Sequence, residues 1–330
     1  MRRRDFAAGL LLTAAVRAAR AQQPAKQHRI AIVVAAGPIA GISDRGVRVW
    51  QACFAELRRL GDVEGQNLAV DRYSGRGRPE SYADLAREVV NSSPDVIITG
   101  GTAIAHAARA ATATVPIVWV GGDDPIQAGL AMSLARPGHN LTGVHIFAGN
   151  EIWGKSLQIL KETVPSASKV AFLTTRTVVE DGEQLREASR RLEISLIPML
   201  LEEANPAQIQ DAFAAPAQGR PDAIVVSATG ELLPYRQLIV ELVEKSGLPA
   251  MYAWREYVEA GGLMAYASDV GELSRRMAED VHEILNGAKP GDIPIYRPTK
   301  YELVINLKAA SALGLTLPAA LLALADEVIE

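Results

Sequence analysis

The sequence predicts an α/β fold written twice: two doubly wound parallel-sheet domains, Rossmann-like, side by side and joined by strands that cross between them. Three observations predict it. Short apolar runs of four to six residues without alternation recur along the chain, as strands buried on both faces require. Helical stretches separate them, and alternating β and α elements build a parallel sheet with helices on both faces. The order of motifs in residues 29–119 then returns in residues 169–252.

The 330-residue chain begins Met1-Arg2-Arg3-Arg4-Asp5-Phe6, continues without charge from Ala7 to Val16, and reaches Ala19-Arg20-Ala21. A basic start, a ten-residue apolar run and an A-x-A site read as a signal peptide over residues 1–21, removed near Ala21. The run is too short to span a bilayer. Arg3-Arg4-Asp5-Phe6 resembles a twin-arginine export motif, with an ordinary Sec signal as the alternative. Removing the five Arg and one Asp of this segment takes the formal net charge from −4 to −8. A mildly acidic chain argues against nucleic acid as a partner, because phosphates demand basic patches. Cys53 is the only cysteine, so no internal disulfide forms, and it falls beside the apolar stripe Val47, Trp50, Phe54 and Leu57, where it reads as a buried small hydrophobe. The remaining 309 residues suffice for two domains, and a soluble, exported monomer is expected.

Element by element, Arg29–Val34 is the first buried strand and Lys169–Leu173 its counterpart. Second strands follow near Leu68–Asp71 and Ser195–Leu200. Pro94-Asp95-Val96-Ile97-Ile98-Thr99 matches Pro221-Asp222-Ala223-Ile224-Val225-Val226-Ser227, and Val115–Trp119 matches Leu248–Tyr252. Leu232, Tyr235, Ile239 and Leu242 mark one helix; Val270, Leu273, Met277, Val281 and Leu285 mark another. Asn286–Asp292 is a turn-rich stop, Tyr301–Asn306 one more strand, and Leu307–Glu330 reads as short helices around Gly314 and Pro318. No flexible linker separates the halves. The domain reading is residues 27–145 plus about 268–290 for the first, and 146–267 plus about 291–330 for the second.

Two strands end in paired glycines: Thr99-Gly100-Gly101-Thr102 and Gly121-Gly122-Asp123-Asp124-Pro125. Such turns lie at the carboxyl ends of parallel strands, where ligands bind. Thr102 is expected to cap the following helix, whose free N–H groups favour a carboxylate. Asp123-Asp124 reads as an acid–base or metal pair or, equally, as a helix cap. There is no phosphate-binding loop and no nucleophile elbow, and Gly75-Arg76-Gly77-Arg78 lacks the third glycine of a dinucleotide fingerprint. No histidine pair has a standard zinc spacing. No metal, no cofactor and no enzymatic activity are expected.

Residues 94–143 closely resemble the signature of the ABC-transporter substrate-binding proteins of type 1 periplasmic-binding-protein fold. The matching runs are Thr99–Thr102, Pro116–Trp119, Gly122–Pro125 and Arg136–Val144; Arg255–Met264, Pro298–Ala310 and Ala325–Glu330 also fit. Some relatives bind aromatic amino acids. The resemblance implies a clamp that closes on a small solute, amino acid or carboxylate-like, and delivers it to a membrane permease and its ATPase from the periplasm. The alternative is a periplasmic sensor that uses the same clamp to signal to a membrane partner. Ligand shifts the open–closed population by touching both domains.

Within that fold the expected contacts are Ala36, Gly37 and Pro38 after the first strand, Thr99, Gly101 and Thr102 as donors to an anionic group, and Gly122, Asp123 and Asp124, the last facing an amino group. From the second domain they are Thr174, Thr175, Ser227, Thr229, Trp254 and Arg255. The plainer alternative for each polar residue is a cap or turn; for Trp254 and Trp153, packing under a loop; for Arg255, a local ion pair. Ala35–Ile42 is more apolar than in relatives, and Thr174–Thr177 replaces an Asn-Pro run. His139 replaces the second glycine of Pro-Gly-Gly-Asn, and is strained if that site needs a positive φ.

Overall fold

The computed structural model describes residues 27–146, 151–175, 179–214 and 219–330. The export segment expected at residues 1–21, and the Arg176-Thr177 part of the altered second-domain loop, lie outside the described residues.

The first sheet comprises β1 (His28–Val34), β2 (Leu68–Ser74), β3 (Val96–Gly100), β4 (Ile117–Gly121) and β5 (Leu141–His145). It is wholly parallel in the order β2-β1-β3-β4-β5. Alternate residues of its strands enter two different layers. Ile30, Ile32, Val96, Ile98, Val118 and Val144 pack with α1 (Arg48–Leu60) and with a helix from late in the chain, described below. Ala31, Val33, Ile97, Ile117, Trp119 and Leu141 pack with α2 (Tyr82–Asn91) and α3 (Thr102–Ala111). Apolar residues on both faces explain the unbroken runs in the sequence. Each fully buried Ile or Leu contributes about 1.5–3 kcal/mol of transfer free energy. Cys53 is buried on the α1 face, and burial pushes its thiol up to about 12.

The second sheet comprises β6 (Lys169–Thr175), β7 (Ser195–Leu201), β8 (Ala223–Val226), β9 (Ala250–Tyr252), β10 (Met264–Ser268), β11 (Tyr301–Asn306) and β12 (Glu327–Ile329). Its order, β7-β6-β8-β9-β10-β11-β12, repeats the five-strand pattern of the first sheet and adds two strands, β11 being antiparallel to β10. The covering helices are α4 (Glu151–Thr163), α5 (Val179–Arg191), α6 (Pro206–Ala214), α7 (Arg236–Ser246) and α8 (Arg255–Glu259). The remaining helices are α9 (Val270–Leu285), α10 (Leu307–Ala312) and α11 (Ala319–Leu324).

The internal repeat is visible in its hydrogen bonds. Asp95 Oδ2 accepts the Arg29 N–H at 2.8 Å, and Asp222 Oδ2 accepts those of Ser168 and Lys169 at 2.8 and 2.9 Å. Each Pro-Asp pair thus ties the start of its third strand to the start of its first. The N–H bonds from Ser168 and Lys169 hold the Asp222 carboxyl below its ordinary value.

The chain passes between the sheets after β5, after β10 and before β11. The helix that follows β5, α4, packs on β9 and β10 of the second sheet, whereas α9, which follows β10, packs back on β4 and β5 of the first and along α1. Leu273, Met277, Val281 and Ile284 of α9 therefore complete the first domain's core. The passages run side by side: Ser268 Oγ donates to Ile146 O at 2.5 Å, and His145 N–H donates to Tyr296 O at 2.8 Å.

Four local expectations change. Gly101, not Thr102, is the cap residue of α3; its φ of +110° and ψ of 152° suit glycine, and Thr102 Oγ1 makes no capping bond. No helix follows Asp124; its Oδ1 accepts the Ile126 and Gln127 N–H groups at 2.8 and 3.0 Å in a turn. The stripe from Leu232 breaks at Pro234, so Leu233–Tyr235 is a single 3₁₀ turn before α7. The tail ends in a strand, β12, held by its pairing with β11 and by Asp326 Oδ2 accepting the Leu303 N–H at 2.9 Å. His139 takes a φ of +57° beside Gly138 at +71°, so the turn needs left-handed backbone at both positions and His139 carries some strain.

Candidate functional site

Loops from the carboxyl ends of the two sheets meet. A β-carbon built on Gly37, after β1, would stand 3.9 Å from Pro234 Cγ, after β8. Tyr82 of α2 is pushed up to about 12 by burial first and by the Glu231 carboxylate of the second domain next. Arg48, the first residue of α1, pairs with Glu259 at the end of α8 at 3.3 Å.

On the first domain's side, Ala36, Gly37 and Pro38 form the β1 loop. Gly37 O accepts the Ser74 hydroxyl at 2.6 Å, Gly37 has a φ of +91°, and Pro38 is exposed. Thr99 and Trp119 are adjacent in register, as are Gly100 and Val120, and Gly101 N–H donates to Val120 O at 2.8 Å. This brings Thr99, Gly101 and Thr102 beside Gly122, Asp123 and Asp124. Thr99 is fully buried, and neither Thr99 Oγ1 nor Thr102 Oγ1 has a hydrogen-bond partner among the described residues. Buried hydroxyls are nearly always paired, so two orphans at one strand end are a strong indication of a ligand surface.

On the second domain's side, Thr174 and Thr175 end β6, and Ser227 N–H donates to Leu173 O at 3.0 Å, so these residues adjoin. Ser227 is fully buried with its hydroxyl unpartnered among the described residues. Thr229 follows, and its carbonyl accepts the Leu232 N–H. Trp254 Nε1 donates to Ala228 O at 3.1 Å, which packs the indole beneath the 227–229 loop. Trp153 lies in the core, edge-on to Phe172.

Arg255 does not join them. Its guanidinium meets Glu259 at 2.9 Å, Glu302 at 3.1 Å and Glu327 at 2.6 Å. Burial works against its charge, but the hydrogen bonds to Glu327 and Glu259 outweigh it and raise its pKa. It ties α8 to β11 and β12, and every arm of its fork is engaged by protein.

Two residues outside the sequence-based set complete the first domain's wall. His145, the last residue of β5, is buried and stacks on Trp119 with ring centroids 6.0 Å apart. Its Nε2 lies 3.0 Å from Gly122 O; a carbonyl only accepts, so Nε2 carries a proton. Burial lowers the imidazole pKa, against the Gly122 bond that raises it, so the neutral ring leaves Nδ1 as an acceptor. His145 Nδ1 and Trp119 Nε1 are both buried without a partner among the described residues. The sequence signal was the glycine pattern: a β-carbon on Gly121 would lie 2.5 Å from the Trp119 ring, and one on Gly143 1.9 Å from Trp119 O. Gly121 makes room for the indole, and Gly143 for the Trp119 backbone.

Two hollows, beside Asp44, Arg58 and Asp62 and beside Arg186, Arg190 and Pro198, lie away from the facing strand ends. Among the described residues no three His, Cys, Asp or Glu side chains are grouped to hold a metal, and no helix is long and apolar enough to cross a membrane.

Comparison with known proteins agrees with this architecture. The profile of the family described as "ABC transporter substrate binding protein" matches residues 50–329. A tyrosine-binding protein of Clostridioides difficile is 23% identical over 262 residues, covering 78% of this chain and 74% of the relative. A conserved domain protein of Vibrio cholerae superposes with a TM-score of 0.83 at 26% identity, over 92% of this chain and 100% of that one. An ABC domain from Streptococcus pneumonia, solved in complex with L-Trp, gives a TM-score of 0.80 at 21% identity over the same shares.

Proposed function

The chain belongs to the ABC transporter substrate binding protein family, a family of solute-binding proteins and not of enzymes, and from that premise we propose that it is the exported receptor of an importer. It grips a small organic solute, an amino acid or related carboxylate, between its two sheets and delivers it to a membrane permease and its ATPase. Residues 1–21 direct export and are removed near Ala21.

One observation carries the reading: Thr99 and Thr102 on one side and Ser227 on the other present buried hydroxyls, without partners among the described residues, at the carboxyl ends of the two sheets. The N-terminus of α3, ten residues long, lies beside Thr102 and suits a carboxylate. The tyrosine and L-Trp named for the relatives support an amino acid as the solute class. The proposed contacts are Ala36, Gly37, Pro38, Thr99, Gly101, Thr102, Gly122, Asp123 and Asp124 from the first domain, with Thr174, Thr175, Ser227 and Thr229 from the second. Trp254 supports the 227–229 loop. A solute touching both sides binds the closed arrangement better than the open one and shifts the population toward it.

The test is a thermal-shift panel of amino acids, aliphatic and aromatic carboxylates, nucleosides, sugars and polyamines on the protein from Gln22 onward. A ligand of the folded state raises the melting temperature by mass action. A shift with amino acids or carboxylates is expected; a shift confined to sugars, nucleosides or polyamines overturns the assignment.

A further inference from the structure

We propose that His145 and Trp119 contact the solute directly, giving the first domain's wall one hydrogen-bond acceptor, His145 Nδ1, beside one donor, Trp119 Nε1. This rests on the clamp reading above and sharpens it. The solute then needs a donor such as an ammonium next to an acceptor such as a carboxylate, the two groups of an α-amino acid.

The strand register makes the case. Val33, Thr99, Trp119 and Gly143 are paired in one row across β1, β3, β4 and β5. The parallel pleat puts the side chains of such a row on one face of the sheet. Two residues further on, at the strand ends, the row reads Ala35, Gly101, Gly121 and His145, with Gly121 and His145 in register. Two glycines and an alanine leave that face bare until the imidazole. A β-carbon on Gly101 would meet only Ala35 Cβ, at 3.5 Å, so the space above it is open. The indole leans into this end of the sheet, because its Nε1 and six-membered ring lie against Gly121.

Four buried atoms without partners among the described residues thus share one strand-end corner: Thr99 Oγ1, Thr102 Oγ1, Trp119 Nε1 and His145 Nδ1. Indole N–H only donates, and a neutral imidazole bonded through Nε2–H only accepts at Nδ1. An orphaned buried polar atom costs free energy comparable to a lost hydrogen bond. Opposite requirements side by side are met together by one group that accepts and one that donates. His145 is therefore a specificity residue for the donor, and Trp119 for the acceptor.

The test separates a solute contact from a purely structural role. His145→Gln places an amide donor where Nε2–H was and removes the acceptor at Nδ1; His145→Asn does the reverse. Calorimetric titration with L-tyrosine and L-tryptophan should show His145→Gln and Trp119→Phe each weakened about tenfold or more; His145→Gln should leave the melting temperature of the solute-free protein little changed, whereas Trp119→Phe also lowers it because the indole is fully buried. His145→Asn should keep most of the affinity and lose thermal stability. If the wild type binds and His145→Gln binds equally well, the contact is overturned while the clamp stands. If the wild type binds neither amino acid, this inference falls together with the amino-acid reading.

Discussion

Thr99, near the end of β3, and Ser227, just past the end of β8, stand on strands that hold the same place in the two sheet orders, and each is fully buried with a hydroxyl that has no partner among the described residues. A structure selected only for stability would carry Val and Ala there. The two hydroxyls are best understood as a cost borne in the solute-free protein and recovered on binding.

Thr99→Val tests that cost. Removing an unpaired buried hydroxyl with little change of shape relieves about 1–3 kcal/mol of desolvation. The melting temperature of the solute-free protein should stay level or rise, while the dissociation constant rises about tenfold. Thermal denaturation and calorimetry read the two effects separately.

Gly37 faces Pro234 across the cleft at a φ of +91°. Gly37→Val adds bulk at that contact and strains the backbone by about 1 kcal/mol. Solution scattering with saturating solute should show a larger radius of gyration than for the wild type, and affinity should fall.

Arg255 is spanned by three carboxylates, of which Glu302 is the least exposed. Arg255→Met leaves them repelling one another and should lower unfolding free energy by about 2–3 kcal/mol, below the range for fully buried pairs because Glu259 and Glu327 are exposed. Intrinsic solute affinity should stay within about twofold. Urea denaturation and titration at low temperature check both halves.

Asp280, on α9, is pushed up to about 8 by burial; the Arg276 charge pulls it back down, Glu283 and Glu279 push it further up, and its Oδ2 is unpartnered among the described residues. The folded value lies above the unfolded one, near 3.8. Its contribution is therefore fully present below about pH 4 and is lost as pH rises through about 8. Asp280→Asn should flatten that decline and stabilise the protein at pH 8 by about 1–3 kcal/mol; melting temperature against pH is the measurement.

Much of this was legible in the chain. The unbroken apolar runs at Ile30, Val96 and Ile117 disclosed strands buried on both faces, and the Pro-Asp repeat at Asp95 and Asp222 disclosed the duplication. What escaped depends on distance or on backbone angle. Arg255 is neutralised by Glu302 and Glu327, 47 and 72 residues away. Gly101 displaces Thr102 as cap through a φ that no residue pattern states. β12 is three residues with a charged start, too short for periodicity to register. His145 and Trp119 look like one more histidine and one more core aromatic until register places them beside two glycines.

The claim that both sheets grip one solute is tested most directly by a double-mutant cycle on Thr99→Val and Ser227→Ala, read by calorimetric titration with the solute that raises the melting temperature most. The account predicts that each change alone weakens binding and that the pair is non-additive, because both hydroxyls act on a single closed complex. Full affinity in Ser227→Ala beside a loss in Thr99→Val would mean that one domain binds alone, and would contradict the clamp.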